Sequence, residues 1–182
     1  VVCTPELRVV MDREIAAFRH LYPSTSIELA SEDSGEGVAA LMSKTVDLVA
    51  AARELRPEER NVKVKGGLEI ESYRVAKDGI CVVVNPDNEL LRLSVEDLRR
   101  IYLGELVRWE DVRGSGGRIV PVIPPPDGDL MAAFVQRAMG GETPTAPAVR
   151  AASDTAVAEV VRANPAAIGF ASGANVGEGV KV

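Results

Sequence analysis

Apolar positions recur at helical spacing near the start of the chain and fall into short alternating or continuous runs afterwards. Leu7, Val10, Met11, Ile15, Phe18 and Leu21 make one face of a helix that Pro23-Ser24 ends. Thr4-Pro5-Glu6 supplies its beginning, with Thr4 at the N-cap, Pro5 at the first helical position and a carboxylate in the first turn. Val1-Val2-Cys3 before it reads as the end of a strand. Ser26 to Ala30 alternates as a half-buried strand does, and Asp47 to Ala52 is an apolar run of strand length that stops at Arg53. Between these two runs lies the loop Ser31-Glu32-Asp33-Ser34-Gly35-Glu36-Gly37, after which Val38, Leu41 and Met42 open a short helix. Strand, glycine-bearing loop, helix, strand is the βαβ unit of a parallel sheet. In such sheets ligands sit beyond the carboxyl ends of the strands, where backbone N–H groups open a helix. Ser34, Gly35 and Arg53 are thereby expected at one rim. The same stretch also fits a capped helix start that binds nothing.

The remaining pattern is again mixed. Arg56 to Arg60 reads as a turn or a single helical turn, Lys63 to Gly67 as a basic loop, and Ile70 to Ala76 as an alternating strand. Asp78-Gly79 turns into the strand Ile80 to Val84, which the breaker cluster Asn85-Pro86-Asp87-Asn88 ends. A lobe boundary is expected at Asn85. Ser94 and Asp97 approach a capping box for a helix bearing Leu98, Ile101, Tyr102 and Leu103, with Gly104 as its stop. A strand from Ile119 to Ile123, the irregular Pro124-Pro125-Pro126-Asp127-Gly128, and an amphipathic helix from Asp129 to Met139 follow. Ser153 caps a helix with Val157, Val160 and Val161, Asn164-Pro165 terminates it, and Ala167 to Phe170 is a short buried strand.

Composition narrows the function classes. The chain has 182 residues, 46% of them hydrophobic but only 4% aromatic, so its core is built of Val, Leu, Ile and Ala. A net charge of −6 argues against general nucleic-acid binding, which requires a basic footprint. No stretch reaches the roughly 18 apolar residues of a membrane span. The first residue is Val1, so removal of an upstream segment is expected. Cys3 and Cys81 both fall on strands, as two buried thiols or as a disulfide. His20 lies among polar neighbours near a helix end and has no second histidine to form a metal pair. No nucleophile–base pair is visible, no cofactor is indicated, and an enzyme is not expected.

The order of motifs resembles the phosphate-binding proteins that feed phosphate ABC transporters. The matching stretches are Asp78 to Pro86, Leu98 to Gly104 with Trp109 to Val112, Ala52 to Leu55, Ser153 to Thr155 and Ala166 to Phe170. The resemblance implies an α/β, two-lobe periplasmic-binding-protein type 2 fold, with mixed sheets flanked by helices and a cleft between lobes. Lobe one would hold 1–85 plus 168–182, and lobe two 86–167, with Val82 to Asn85 and Ala167 to Phe170 as adjacent crossovers. It also implies an oxyanion ligand held by Thr4, Ser34, Gly35 and Arg53 in lobe one, with Arg53 projecting into the cleft. An extracytoplasmic location, a membrane component of an ABC transporter as partner, and a monomer go with it, as do family members that continue past Val182. In lobe two the family pattern is an arginine, two residues, then glycine-serine-glycine-threonine opening a helix. Here Pro125 replaces the arginine, Gly128 stays, and Asp129, Leu130 and Met131 stand where serine, glycine and threonine are expected. Gly128 and Asp129 are the candidate ligand positions there, and Asp129 is also placed to cap its own helix. Glu32, Asp33, Glu36 and Asp129 leave open an acidic cleft for a cationic or hydroxyl-rich ligand. A non-transport sensing or structural module with a vestigial or differently specific cleft is a further alternative, and an enzyme on the same fold is a more distant one.

Overall fold

The computed structural model describes residues 1–61, 70–115 and 117–182, so the basic loop at 63–67 lies outside the described residues. The chain divides into two compact units, Val1–Lys77 and Asp78–Val182. The strands fall into two separate sheets, one in each unit.

In the first unit, β1 (Val2–Cys3) lies between β2 (Ala30–Ser31) and β3 (Val49–Ala50), and all three run parallel. The expected strands at 26–30 and 47–52 shrink to two residues each. Thr4 is the N-cap and Pro5 the first residue of a 3-10 turn, Pro5–Leu7, that continues into α1 (Arg8–Leu21). The helix α2 (Ser34–Met42) begins inside the stretch expected to be loop, because Asp33 caps it: its carboxylate accepts from the N–H groups of Gly35 and Glu36. Gly37 lets α2 close onto the sheet, for a Cβ there would sit 3.0 Å from Val49 and 3.2 Å from Val2. A five-residue helix α3 (Pro57–Asn61) follows β3. No strand forms over 70–79.

The core of this unit is thin. Only Ile15 of the expected apolar face of α1 is buried, while Val10, Phe18 and Leu21 are exposed. Val2, Cys3 and Val38 complete the buried apolar set among the described residues. Both cysteines are free thiols. His20 is exposed, as its neighbours suggested.

The second unit is a four-stranded mixed sheet in the order β4-β7-β5-β6. Its strands are β4 (Ile80–Val84), β5 (Val120–Ile123), β6 (Val149–Arg150) and β7 (Ala167–Ser172). β4 runs antiparallel to β7 with Val84 opposite Ile168, so the two expected crossover segments are neighbours, here within one unit. Asn85 explains the breaker cluster: its amide donates to the carbonyls of Val161 and Arg162, tying the end of β4 to the last turn of α6 (Ala156–Ala163). The helix α4 (Val95–Leu103) is capped by Ser94 and closed by Gly104 at φ 82°. The helix α5 is Asp129–Arg137.

One large apolar cluster joins Leu98, Ile101 and Tyr102 of α4 to Leu130, Met131 and Phe134 of α5 and to Phe170 of β7. Phe134 and Phe170 stack at 3.8 Å, and the buried Tyr102 hydroxyl donates to the Val122 and Ile168 carbonyls. On the other face α6 packs against β7 where residue 169 has no side chain: a Cβ at Gly169 would meet Val157 at 2.7 Å and Val161 at 2.9 Å. Gly169→Ala is therefore expected to destabilise the second unit by about 1–3 kcal/mol, read from the urea midpoint. Hydrogen exchange should also separate the units. The amides of β4 and β7 are expected to be protected far longer than Val2 and Thr4, and equal protection would contradict the contrast in their cores.

Candidate functional site

Short parallel strands put three loops at one edge of the first sheet. Thr4 N donates to Ala50 O at 3.1 Å, and Glu32 N donates to Cys3 O at 3.1 Å. Thr4, the 32–34 turn and the 51–53 segment thus leave the carboxyl ends of β1, β2 and β3 together. Ser34 joins two of them directly, its buried Oγ accepting from Ala52 N at 3.1 Å. Gly35 lies beside Arg53: a Cβ at residue 35 would sit 3.7 Å from Arg53 Nη2 and 3.1 Å from Asp33 Oδ1. Ser34, Gly35 and Arg53 share one rim, as the strand–loop–helix–strand pattern implied. Thr4 is 1% exposed and its Oγ1 has no hydrogen-bond partner among the described residues. The Glu6 Oε2, two residues further on, is buried in the same condition. Buried polar atoms of this kind are uncommon in folded proteins.

Three donors at this edge, the Gly35 and Glu36 amides and the Arg53 guanidinium, are already engaged by carboxylates. Asp33 Oδ1 accepts from Gly35 N at 2.6 Å and Glu36 N at 2.9 Å. Glu54 is the acid beside Arg53 in sequence, yet Arg53 forms its two-pronged pair with Glu59, at 2.7 and 2.8 Å. The partner was missed because it belongs to α3, whose first turn brings position 59 back over position 53. Glu54 offers Arg53 only its backbone carbonyl, while its carboxylate pairs with Arg60 and Arg74. The Arg53 guanidinium holds the Glu59 carboxyl at about 2, below its usual 4.5; burial opposes the shift and the Arg56 N–H adds to it. Glu36 is pushed up instead, first by its hydrogen bond with Glu32 and then by the charge of Asp33.

In the second unit, α5 starts beyond the carboxyl end of β5. Gly128 is its N-cap and Asp129 its first residue, so Asp129 does not take the capping position that was open to it. The buried Asp154 carboxylate lies 3.9 Å from where a Cβ of Gly128 would be. Leu130 and Met131, at two of the altered positions, point into the apolar core.

Residues 1–178 match the PBP superfamily domain over nearly the whole chain. The chain belongs to the PBP superfamily. Among curated relatives it is 31% identical over 113 residues to phosphate-binding protein PstS 2 of Streptococcus pneumoniae, covering 62% of this chain and 36% of that protein. It is 25% identical over 148 residues to phosphate-binding protein PstS of Bacillus subtilis, covering 81% and 48%. The chain thus spans less than half the length of these relatives. A phosphate ABC transporter substrate-binding protein with bound phosphate from Clostridium perfringens superposes with a TM-score of 0.85 at 25% identity, covering 100% of this chain and 73% of that one. The ABC-type phosphate transport receptor of Vibrio cholerae superposes at 0.74 and 24% identity, covering 99% and 73%. The expected type 2 periplasmic-binding-protein fold is the fold observed.

The Arg53–Glu59 pair has a pH signature. Because the folded carboxyl titrates below its unfolded value, its contribution is complete above about pH 4.5 and disappears as pH falls through about 2. Wild-type stability is expected to drop more steeply than that of Glu59→Gln across that window. Parallel curves in acid denaturation would remove the pair from the account.

Proposed function

We propose that the chain is the ligand-binding part of an extracytoplasmic solute-binding protein serving an ABC transporter, and that its ligand is a small oxyanion. The observation that carries this is the convergence of Thr4, Ser34, Gly35 and Arg53 at the carboxyl edge of one parallel sheet. Hydroxyls, helix-start N–H groups and a guanidinium are the donors an oxyanion takes when it leaves water. The buried Thr4 hydroxyl, without a partner among the described residues, supports the same assignment. The relatives whose names specify phosphate support the ligand class. Gly128 and Asp129 are the second unit's proposed ligand positions. The expected role is binding, not turnover.

Inorganic phosphate itself is expected to bind weakly. Pro125 has neither charge nor N–H, Asp129 brings a carboxylate, and Met131 has no donor. Each lost charge-assisted hydrogen bond removes about 1.5–3 kcal/mol, and each 1.4 kcal/mol is tenfold in affinity. The core position of Leu130 and Met131 adds a physical reason why these residues do not serve a ligand. A module whose site is vestigial or specific for something other than phosphate is the second reading, favoured by the carboxylates of Asp33 and Glu59 on the donors of the first unit.

Isothermal titration with phosphate at neutral pH tests the assignment. Dissociation in the range of about 0.1 mM or weaker is expected, and a micromolar constant would overturn the account of the second unit. The double change Pro125→Arg with Asp129→Ser is expected to tighten binding by at least about tenfold while leaving the apolar core intact. No gain would place the loss of phosphate affinity elsewhere.

A further inference from the structure

Among the described residues Arg53 is the cation assigned to the proposed oxyanion edge, and its two-pronged end is occupied by Glu59. Nη1 donates to Glu59 Oε2 at 2.8 Å and to Glu54 O at 3.0 Å, so both its hydrogens are committed. Nη2 donates to Glu59 Oε1 at 2.7 Å. Glu59 is held from a second side, because Arg56 N donates to its Oε2 at 2.7 Å. That contact is the reach-back of a third helical residue to the residue before the helix, which fixes the carboxylate without help from Arg53. Both side chains are largely out of water, at 19% and 15% exposure. A charged pair in such surroundings is stronger than one in solvent.

The placement matters because the guanidinium lies beside the candidate edge, with Nη2 3.7 Å from where a Cβ of Gly35 would be. Arg53 Nη2 and Asp33 Oδ1 flank the same backbone point at Gly35. A planar carboxylate bound through both oxygens is the geometry in which a guanidinium also grips an oxyanion. Glu59 therefore occupies the position that two oxygens of an incoming anion would take.

We propose that Glu59 is a specificity-determining residue of this edge, an internal carboxylate that competes with the ligand for the two-pronged end of Arg53. The inference rests on the oxyanion reading of the edge. The ligands admitted are those whose two oxygens outcompete a tethered carboxylate, and simple monoanions are turned away. Removing the charge of Glu59 removes the two-oxygen competitor from the fork. A positioning role predicts the opposite sign, since an arginine that loses its support binds worse.

The test is titration of inorganic phosphate, with sulfate as a second probe, into the full chain and its Glu59→Gln variant. Glutamine keeps an acceptor for Arg56 N–H and the shape of the side chain, but loses the charge and one of the two acceptors. Glu59→Asp, which keeps the charge and loses reach, stands beside it as a check against a folding defect. Both variants are expected to bind phosphate about tenfold tighter than wild type, and Arg53→Ala added to Glu59→Gln is expected to abolish the gain. Unchanged or weaker binding in both variants overturns the competitor role. Binding by wild type without a gain in the variants sinks this inference and leaves the oxyanion reading standing. Binding only in the variants upholds the inference and sinks that reading for the native chain. Binding in none of them sinks both.

Discussion

Parallel register between three two-residue strands is the constraint on which the candidate site depends. Val2 and Cys3 of β1 are buried but β2 is exposed and β3 only half-buried, so the register is set largely by backbone pairing and by what lies just outside it. Thr4 N on Ala50 O and Glu32 N on Cys3 O extend the ladder past the strand ends, and Ala52 N on Ser34 Oγ ties two loops without any strand at all. A slip of one residue would turn every side chain to the opposite face. It would carry Ser34 away from the 51–53 segment and take Arg53 from the mouth of α2. Gly37 belongs to the same arrangement, because only a bare backbone there lets α2 approach Val2 and Val49 closely enough to present its first turn at the rim.

The two units solve the folding problem differently. The second is a conventional layered core in which aromatic stacking, a long buried strand and helices on both faces reinforce one another. The first buries few apolar side chains among its described residues and holds its edge with hydrogen bonds and ion pairs, many of them formed by acidic residues. Polar contacts of this kind contribute modestly to stability but strongly to geometry, since each fixes the direction of a donor. A binding edge made this way has its donors aimed in advance, at the expense of having them already engaged. The carboxylates of Asp33 and Glu59 are the clearest sign of that compromise.

Much of the architecture was legible in the chain. Thr4-Pro5 marked a helix start, Ser94 and Gly104 marked both ends of α4, and the run Ile80 to Val84 could hardly be anything but a strand. The rim made of Ser34, Gly35 and Arg53 followed from the βαβ pattern alone. What could not be read were contacts fixed by tertiary context. Periodicity gave α1 a full apolar face, but burial depends on what packs against each position, and Ile15 is covered while Phe18 and Leu21 stay exposed. Asp33 looked like a loop acid because its capping role requires knowing that the helix begins at Ser34. Glu59 looked like one more charge in Glu58-Glu59-Arg60, and nothing short of the fold of α3 distinguishes it from its neighbour. Leu130 and Met131 read as losses from a ligand site, and the packing shows that they are also gains to the core.

The single tryptophan has a practical corollary. Trp109 is fully buried in the second unit, with its indole N–H donating to Ala166 O at 3.1 Å. Its emission is an intrinsic optical reporter confined to that half of the molecule, blue-shifted while the apolar cluster is intact. Red-shifting of the fluorescence on heating or in denaturant dates the collapse of one core alone. Disruption of the parallel edge around Arg53 passes without direct notice at this wavelength, so spectroscopic calm in the indole band is no proof that the first unit is folded.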